Sequence, residues 1–339
     1  MRTVCFDVDT QLDFILPTGA LPGAMLLLYA VPASAACALD AIQLPVTMAE
    51  GLPVVPVKID GQGARLVVGS GAVFNQIEPG YARAHRLRMI DAPTRGTRLP
   101  VPAETLVRGP GGPVAAPVAM ASSFEFADTA LGATPMIVLQ GIAEADGVLG
   151  QEVLHRTDGD YDLAGGVIQL VRATGCQDAK LAYWARAGTY WVIPLEPSPP
   201  KAPRDVVTIT INGLPIRAML DSGAPTSFIT AKAAARTGIR IGEAGVTPTA
   251  PLPGLERSRV RAWKANFKNL QIGAETLQDA ALTIVDASLD DADMVLGMDF
   301  FLTHHLYVAN SQRKVYVSAN AGPAFGSSGQ DPAVRPSSR

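Results

Sequence analysis

One pattern of sixteen residues occurs twice in this chain, and it fixes the architecture more than any other feature. Residues 57–72 run Val57-Lys58-Ile59-Asp60-Gly61, then Arg65-Leu66-Val67-Val68-Gly69-Ser70-Gly71-Ala72. Residues 209–224 run Ile209-Thr210-Ile211-Asn212-Gly213, then Arg217-Ala218-Met219-Leu220-Asp221-Ser222-Gly223-Ala224, a constant 152 positions later. Each copy predicts a strand, a tight turn at Asp60-Gly61 or Asn212-Gly213, a second strand and a Ser-Gly-Ala loop. A short Ala-rich segment follows each, at residues 81–85 and 231–235.

A second motif recurs at a spacing of 147. Asp146-Gly147-Val148-Leu149-Gly150 matches Asp293-Met294-Val295-Leu296-Gly297. Each copy leads into a closing strand, at residues 166–171 and 314–317. Two elements repeated in the same order predict two homologous lobes, and 339 residues give each a real core. The Val, Thr and Ile runs broken by Gly and Pro favour an all-β class with short helices. A net charge of −3 supplies no basic field for nucleic acid. A hydrophobic content of 48% with 17% charged residues argues against disorder through most of the chain.

The order of strand, Asp-Ser-Gly-Ala loop, β-rich middle, apolar-apolar-Gly and closing strand resembles the retropepsin-like aspartic peptidases, in their double-lobed bacterial form. The resemblance covers roughly residues 45–320. It implies two closed, pepsin-like β lobes, 45–172 and 205–320, joined by a connector at 173–204. It makes Asp221 the catalytic acid, with Ser222, Gly223 and Ala224 as its supporting loop. Ser222 would grip the opposite lobe, Ala224 would shape the floor, and Val295, Leu296 and Gly297 would pack behind the loop. Flaps are expected at residues 247–255 and 108–113. Peptide or protein would be the substrate, with no cofactor and no metal.

Aspartic peptidases need two carboxylates sharing one proton across a bound water, one from each lobe. The first lobe has Gly69, Ser70 and Gly71 where the acid loop should be, and Asp60 belongs to the preceding turn. Three arrangements therefore stay open. Lobe two pairs with lobe two of a second copy in a homodimer, giving an active endopeptidase. Alternatively the lobes close within one chain as an inactive pseudo-peptidase, an interaction module that keeps a peptide-binding cleft. In the third, Asp221 works weakly with another acid.

The two ends carry separate expectations. Residues 3–14 and 19–24 resemble the opening of an isochorismatase-like cysteine hydrolase, where the residue matching Asp9 belongs to a Cys-Asp-Lys set. That likeness stops there, so residues 1–24 are taken as extraneous. Residues 25–37 read as the apolar core and Ala-x-Ala end of a signal peptide, too short for a stable membrane span. Export would make the protein periplasmic or secreted. Cleavage near Ala35 or Ala36 would remove Cys5 and leave Cys37 and Cys176 as an even pair, which predicts a disulfide. The Ser-, Gly- and Pro-rich tail at 321–339 is expected to be disordered. His304 and His305 are expected at the surface rather than on a metal, and Trp263 and Phe267 in the core.

Overall fold

A computed structural model describes residues 3–5, 36–90, 104–127, 129–140, 145–200, 202–255, 258–320 and 325. Most of the segment 1–24, most of the signal-like segment 25–37, and the tail apart from Phe325 lie outside these residues.

The molecule is all-β with short helices, and its duplication is visible in the strand order. In lobe one the hairpin Leu52–Ile59 and Gln62–Val68 is followed across the sheet by Gly147–Leu149, Gln76–Ile77, Thr134–Val138 and Gly112–Ala121. In lobe two Val206–Ile211 and Leu214–Leu220 are followed by Met294–Leu296, Phe228–Thr230, Glu275–Val285 and Arg259–Ile272. The same pairs are parallel in both lobes: Val68 with Leu149 and Leu220 with Leu296, then Ile77 with Val138 and Thr230 with Val285. The hairpin turns are tight because Asp60, Gly61, Asn212 and Gly213 all take positive φ, which short polar residues and glycine adopt at little cost. Asp60 is further fixed by the N–H groups of Ser122 and Ser123, which donate to its carboxylate.

Alternation along the strands fills each lobe. Ile59, Leu66 and Phe124 are fully enclosed in lobe one, and Phe267, Ile284 and Leu296 in lobe two. Trp263 is half-buried beside them, with the Arg261 guanidinium 5.7 Å from its ring. Among the described residues, four short helices complete the duplication. Pro79–Ala84 and Ala231–Arg236 follow the loops, while Gln151–Leu154 and Met298–Phe301 follow the apolar-apolar-Gly strands.

The closing strands do not finish two separate lobes. They join one seven-stranded sheet in the order Thr3–Cys5, Ala38–Leu44, Val167–Thr174, Asp158–Asp162, His304–Ala309, Lys314–Ala319, Trp191–Pro194. Its centre pairs Asp160 of one lobe with Tyr307 of the other. The connector packs on this sheet, where Leu181 and Ala182 join Leu39, Cys176, Tyr307 and Tyr316 in one apolar cluster. A disulfide links Cys37 to Cys176 there.

His304 and His305 correct the expectation of surface residues, since both are buried. They lie on a central strand of the shared sheet, covered on both faces. Side chains alternate along a strand, so the two rings have different surroundings. His304 Nε2 lies 3.0 Å from Glu275, and His305 Nε2 lies 2.5 Å from Asp160 with its ring stacked on Trp184.

Candidate active site

The two repeated loops face each other within one chain. In each, the first N–H of the loop donates to the buried strand behind it: Gly69 to the Leu149 carbonyl at 3.0 Å, and Asp221 to the Leu296 carbonyl at 2.9 Å. Each loop then turns tightly, with Ala72 N–H on the Gly69 carbonyl and Ala224 N–H on the Asp221 carbonyl. Gly297 has to be a glycine, because a Cβ there would lie 2.7 Å from the carbonyl oxygens of Ala224 and Thr226. Gly150 is crowded in the same way by Phe74 and Ala72. Val295, Leu296 and Gly297 thus sit directly behind the acid loop. Ala224 belongs to an apolar cluster with Met219, Phe228 and Val295.

Ser70 and Ser222 tie the loops together symmetrically. Ser70 Oγ donates to the Leu220 carbonyl at 3.0 Å and accepts the Ser222 N–H at 2.9 Å. Ser222 Oγ donates to the Val68 carbonyl at 2.5 Å and accepts the Ser70 N–H at 3.3 Å. All these groups are buried, so each bond replaces water that could not reach them. The face of lobe two that a lobe-two pair would use is covered by lobe one of the same chain.

Gly69 stands across from Asp221. No carboxylate extends from it, and the alpha carbon of Gly69 lies 3.1 Å from where a Cβ on Gly223 would be. The half-buried Asp221 reaches the loops of both lobes with one carboxylate oxygen. Its Oδ1 accepts the N–H of Gly223 at 2.8 Å and the N–H of Gly71 at 3.0 Å. One oxygen therefore uses the loop donors of both lobes. Burial raises the Asp221 pKa, and the two N–H groups and Arg204 pull against that rise. Among the described residues, the two facing loops offer one carboxylate, Asp221, at the junction of the lobes.

The expected flaps are hairpins. Glu104–Gly109 pairs with Gly112–Ala121, and Thr247–Pro253 pairs with Arg259–Ile272. Their tips meet, the Leu255 N–H donating to the Pro110 carbonyl at 3.3 Å. Arg108 of the first hairpin also pairs with Asp290 of lobe two at 3.1 Å.

Asp205 and Gln151 were not legible as site residues. Gln151 Nε2 donates to the Ser70 carbonyl at 2.7 Å and to Asp205 at 2.8 Å, and burial raises the Asp205 pKa. Asp205 lies behind the loops, with its own carbonyl accepting the Leu220 N–H. The available signal was a break in the repeat: Gln151 stands where lobe two has Met298, and Asp205 where lobe one has Pro53.

An aspartic proteinase from Irpex lacteus shares 13% identity with the chain at a TM-score of 0.46, over 83% of this chain and 98% of that one. No curated protein matches the sequence. Residues 207–303 match the family described as "gag-polyprotein putative aspartyl protease", a span that runs from the strand before Asp221 to just past Gly297. That match likens the second lobe, the one that carries Asp221, to the aspartyl proteases of this family.

Proposed function

We propose that this chain holds an extended polypeptide segment in an aspartic-peptidase cleft, with Asp221 as the lone acid–base group, and that capture outweighs cleavage. One observation carries this reading: a single carboxylate oxygen accepts from both Gly71 and Gly223, while Gly69 supplies no second acid. A positioned acid–base group contributes roughly 10²–10⁴-fold to rate, so hydrolysis with one acid is slow by that factor. Completing the pair through a second copy of lobe two would break the four buried Ser70 and Ser222 bonds. For that reason the homodimer is the weaker reading.

The test compares a fluorescent unfolded protein as ligand and as substrate, at acid and neutral pH. Binding without appreciable cleavage is expected, and any residual cleavage should disappear in Asp221→Asn. Rapid, pH-dependent turnover that rises with the square of protein concentration would favour the dimer instead.

The same reading takes residues 25–37 as an export signal and puts the protein in the periplasm or outside the cell. The Cys37–Cys176 disulfide supports it, since oxidising compartments preserve such bonds. Cell fractionation followed by sequencing of the mature amino terminus tests it.

A further inference from the structure

A cavity of about 140 Å³ opens between the tip of the lobe-one hairpin and lobe two, lined by Arg108, Gly109, Pro113, Arg204, Leu289 and Asp290. Arg204 is the unusual member. Its side chain is only 16% exposed, and its Nε is buried without a hydrogen-bond partner among the described residues. The carboxylate of Asp291 stands 3.7 Å from Nε, beyond hydrogen-bonding reach, and Nη1 lies 3.9 Å from the Met219 sulfur. A buried guanidinium donor left without an acceptor is destabilising, so an acceptor entering here gains what the free protein forgoes. Arg204 leads into the strand that pairs with the strand ending at Asp221. Arg204, whose charge acts on Asp221, ties the cavity to the acid loop.

We infer that this cavity is a subsite for a carboxylate of the bound peptide, held by Arg204 with Arg108 at the rim. The inference rests on the peptide-binding reading and names the ligand chemistry that the site selects. Guanidinium and carboxylate match as planar partners, and two parallel N–H bonds make such pairs strong. Asp290 and Asp291 do not fill the role. Their side chains are 44% and 48% exposed, and solvent-exposed ion pairs are weak. Either can turn into water when a ligand carboxylate arrives, whereas Arg204 cannot follow. Leu289 and Pro113 give the cavity apolar walls, which suit the methylene stem of an acidic side chain.

Two sources present this chemistry, an Asp or Glu side chain and the carboxyl end of a polypeptide. The experiment separates them with fluorescently labelled peptides of Val, Ala and Leu. One series is amidated and carries a single Glu at each position in turn. A second has Gln in its place, and a third has no acid but a free carboxyl terminus.

Binding to the full chain is measured by anisotropy at low and high salt. The best Glu peptide, or the free-carboxyl peptide, should bind about tenfold more tightly than its neutral counterpart, a gap of ~1.4 kcal/mol. That preference should vanish in Arg204→Met, shrink in Arg108→Ala and weaken with salt, while neutral peptides bind all three proteins alike. Equal binding of Glu, Gln and free-carboxyl peptides to the unaltered chain would overturn the subsite and leave the peptide-binding reading standing. Preference that persists in a folded Arg204→Met protein would overturn it as well. Failure of every peptide to bind would overturn both.

Discussion

The N–H of Gly71 lies 3.0 Å from Oδ1 of Asp221, so the glycine of one lobe's loop holds the carboxylate of the other. A second acid on residue 69 would compete for that donor. With glycine there, Asp221 takes both loop N–H groups and sits at the centre of the junction. A Cβ on Gly71 would collide with the Asp221 carboxylate, so the contact depends on a bare backbone.

This arrangement predicts how Asp221→Asn changes stability with pH. Burial raises the Asp221 pKa above the ordinary 3.8, so the native protein holds that proton more tightly than the unfolded chain. The contribution is fully present below the unfolded value and is lost as pH rises through the folded one. Asn stays neutral and can still accept the two N–H bonds. The variant should therefore melt above the unaltered protein at neutral pH, with the gap closing in acid. A gap of the opposite sign, read by calorimetry across pH, would contradict the burial of an ionisable Asp221.

Ser222→Ala should weaken the seam between the lobes. It removes the donor to the buried Val68 carbonyl and leaves the Ser70 N–H without its acceptor. Stranding buried groups costs about 1–3 kcal/mol. Ser70→Ala should cost a similar amount, and the double variant less than the sum, because the four bonds form one network. Denaturant titration of the three proteins measures this. Sedimentation should give the monomer mass at every concentration for the unaltered chain, since the loops are already paired.

Reduction of Cys37–Cys176 should destabilise the connector side of the shared sheet. The bond spans 139 positions and joins the segment before Ala38–Leu44 to the connector after Val167–Thr174. Loss of a native disulfide typically costs ~2–5 kcal/mol. Beyond any thiol from Cys5, two more should appear in the denatured protein only after reduction, with a matching drop in melting temperature. A melting temperature that does not change on reduction would show that the connector is held by Leu181, Ala182 and Tyr316 alone.

The repeat made the hairpins, the two loops and the strands behind them legible, because each is a local pattern copied twice. What it could not give was partnership between distant strands. Nothing in residues 158–162 or 304–309 names the other as neighbour, and their pairing buried His304 and His305 against expectation. Gly71 was legible as a loop glycine but not as the donor to Asp221, since that contact depends on the lobes meeting. Arg204 had no motif at all. Its role follows from the cavity that the lobe-one hairpin closes over it.

Gly69→Asp is the most demanding test of the facing loops. The repeat aligns Gly69 with Asp221, and its φ lies outside the positive region, so the backbone accepts a side chain. The obstacle is Val148, whose Cγ1 would stand 2.6 Å from the new Cβ. Val148 is 5% exposed and β-branched, with little freedom to turn away. Gly69→Asp alone should therefore lose about 1–3 kcal/mol to overpacking and gain no activity. Lobe two keeps Val295 at the matching position beside Asp221, so the acid and the valine coexist once the rotamers agree. Adding Val148→Ala opens the space, and the double variant should be more stable than the sum of its parts. Two carboxylates would then share the junction, and Asp221 would release the Gly71 N–H to its new partner. Such a pair titrates in two coupled steps, so cleavage of an unfolded substrate should acquire a bell-shaped pH profile. That profile should collapse when Asp221→Asn is added. A folded, monomeric Gly69→Asp/Val148→Ala protein with no pH-dependent cleavage would mean that the loops meet in a geometry unfit for a shared proton.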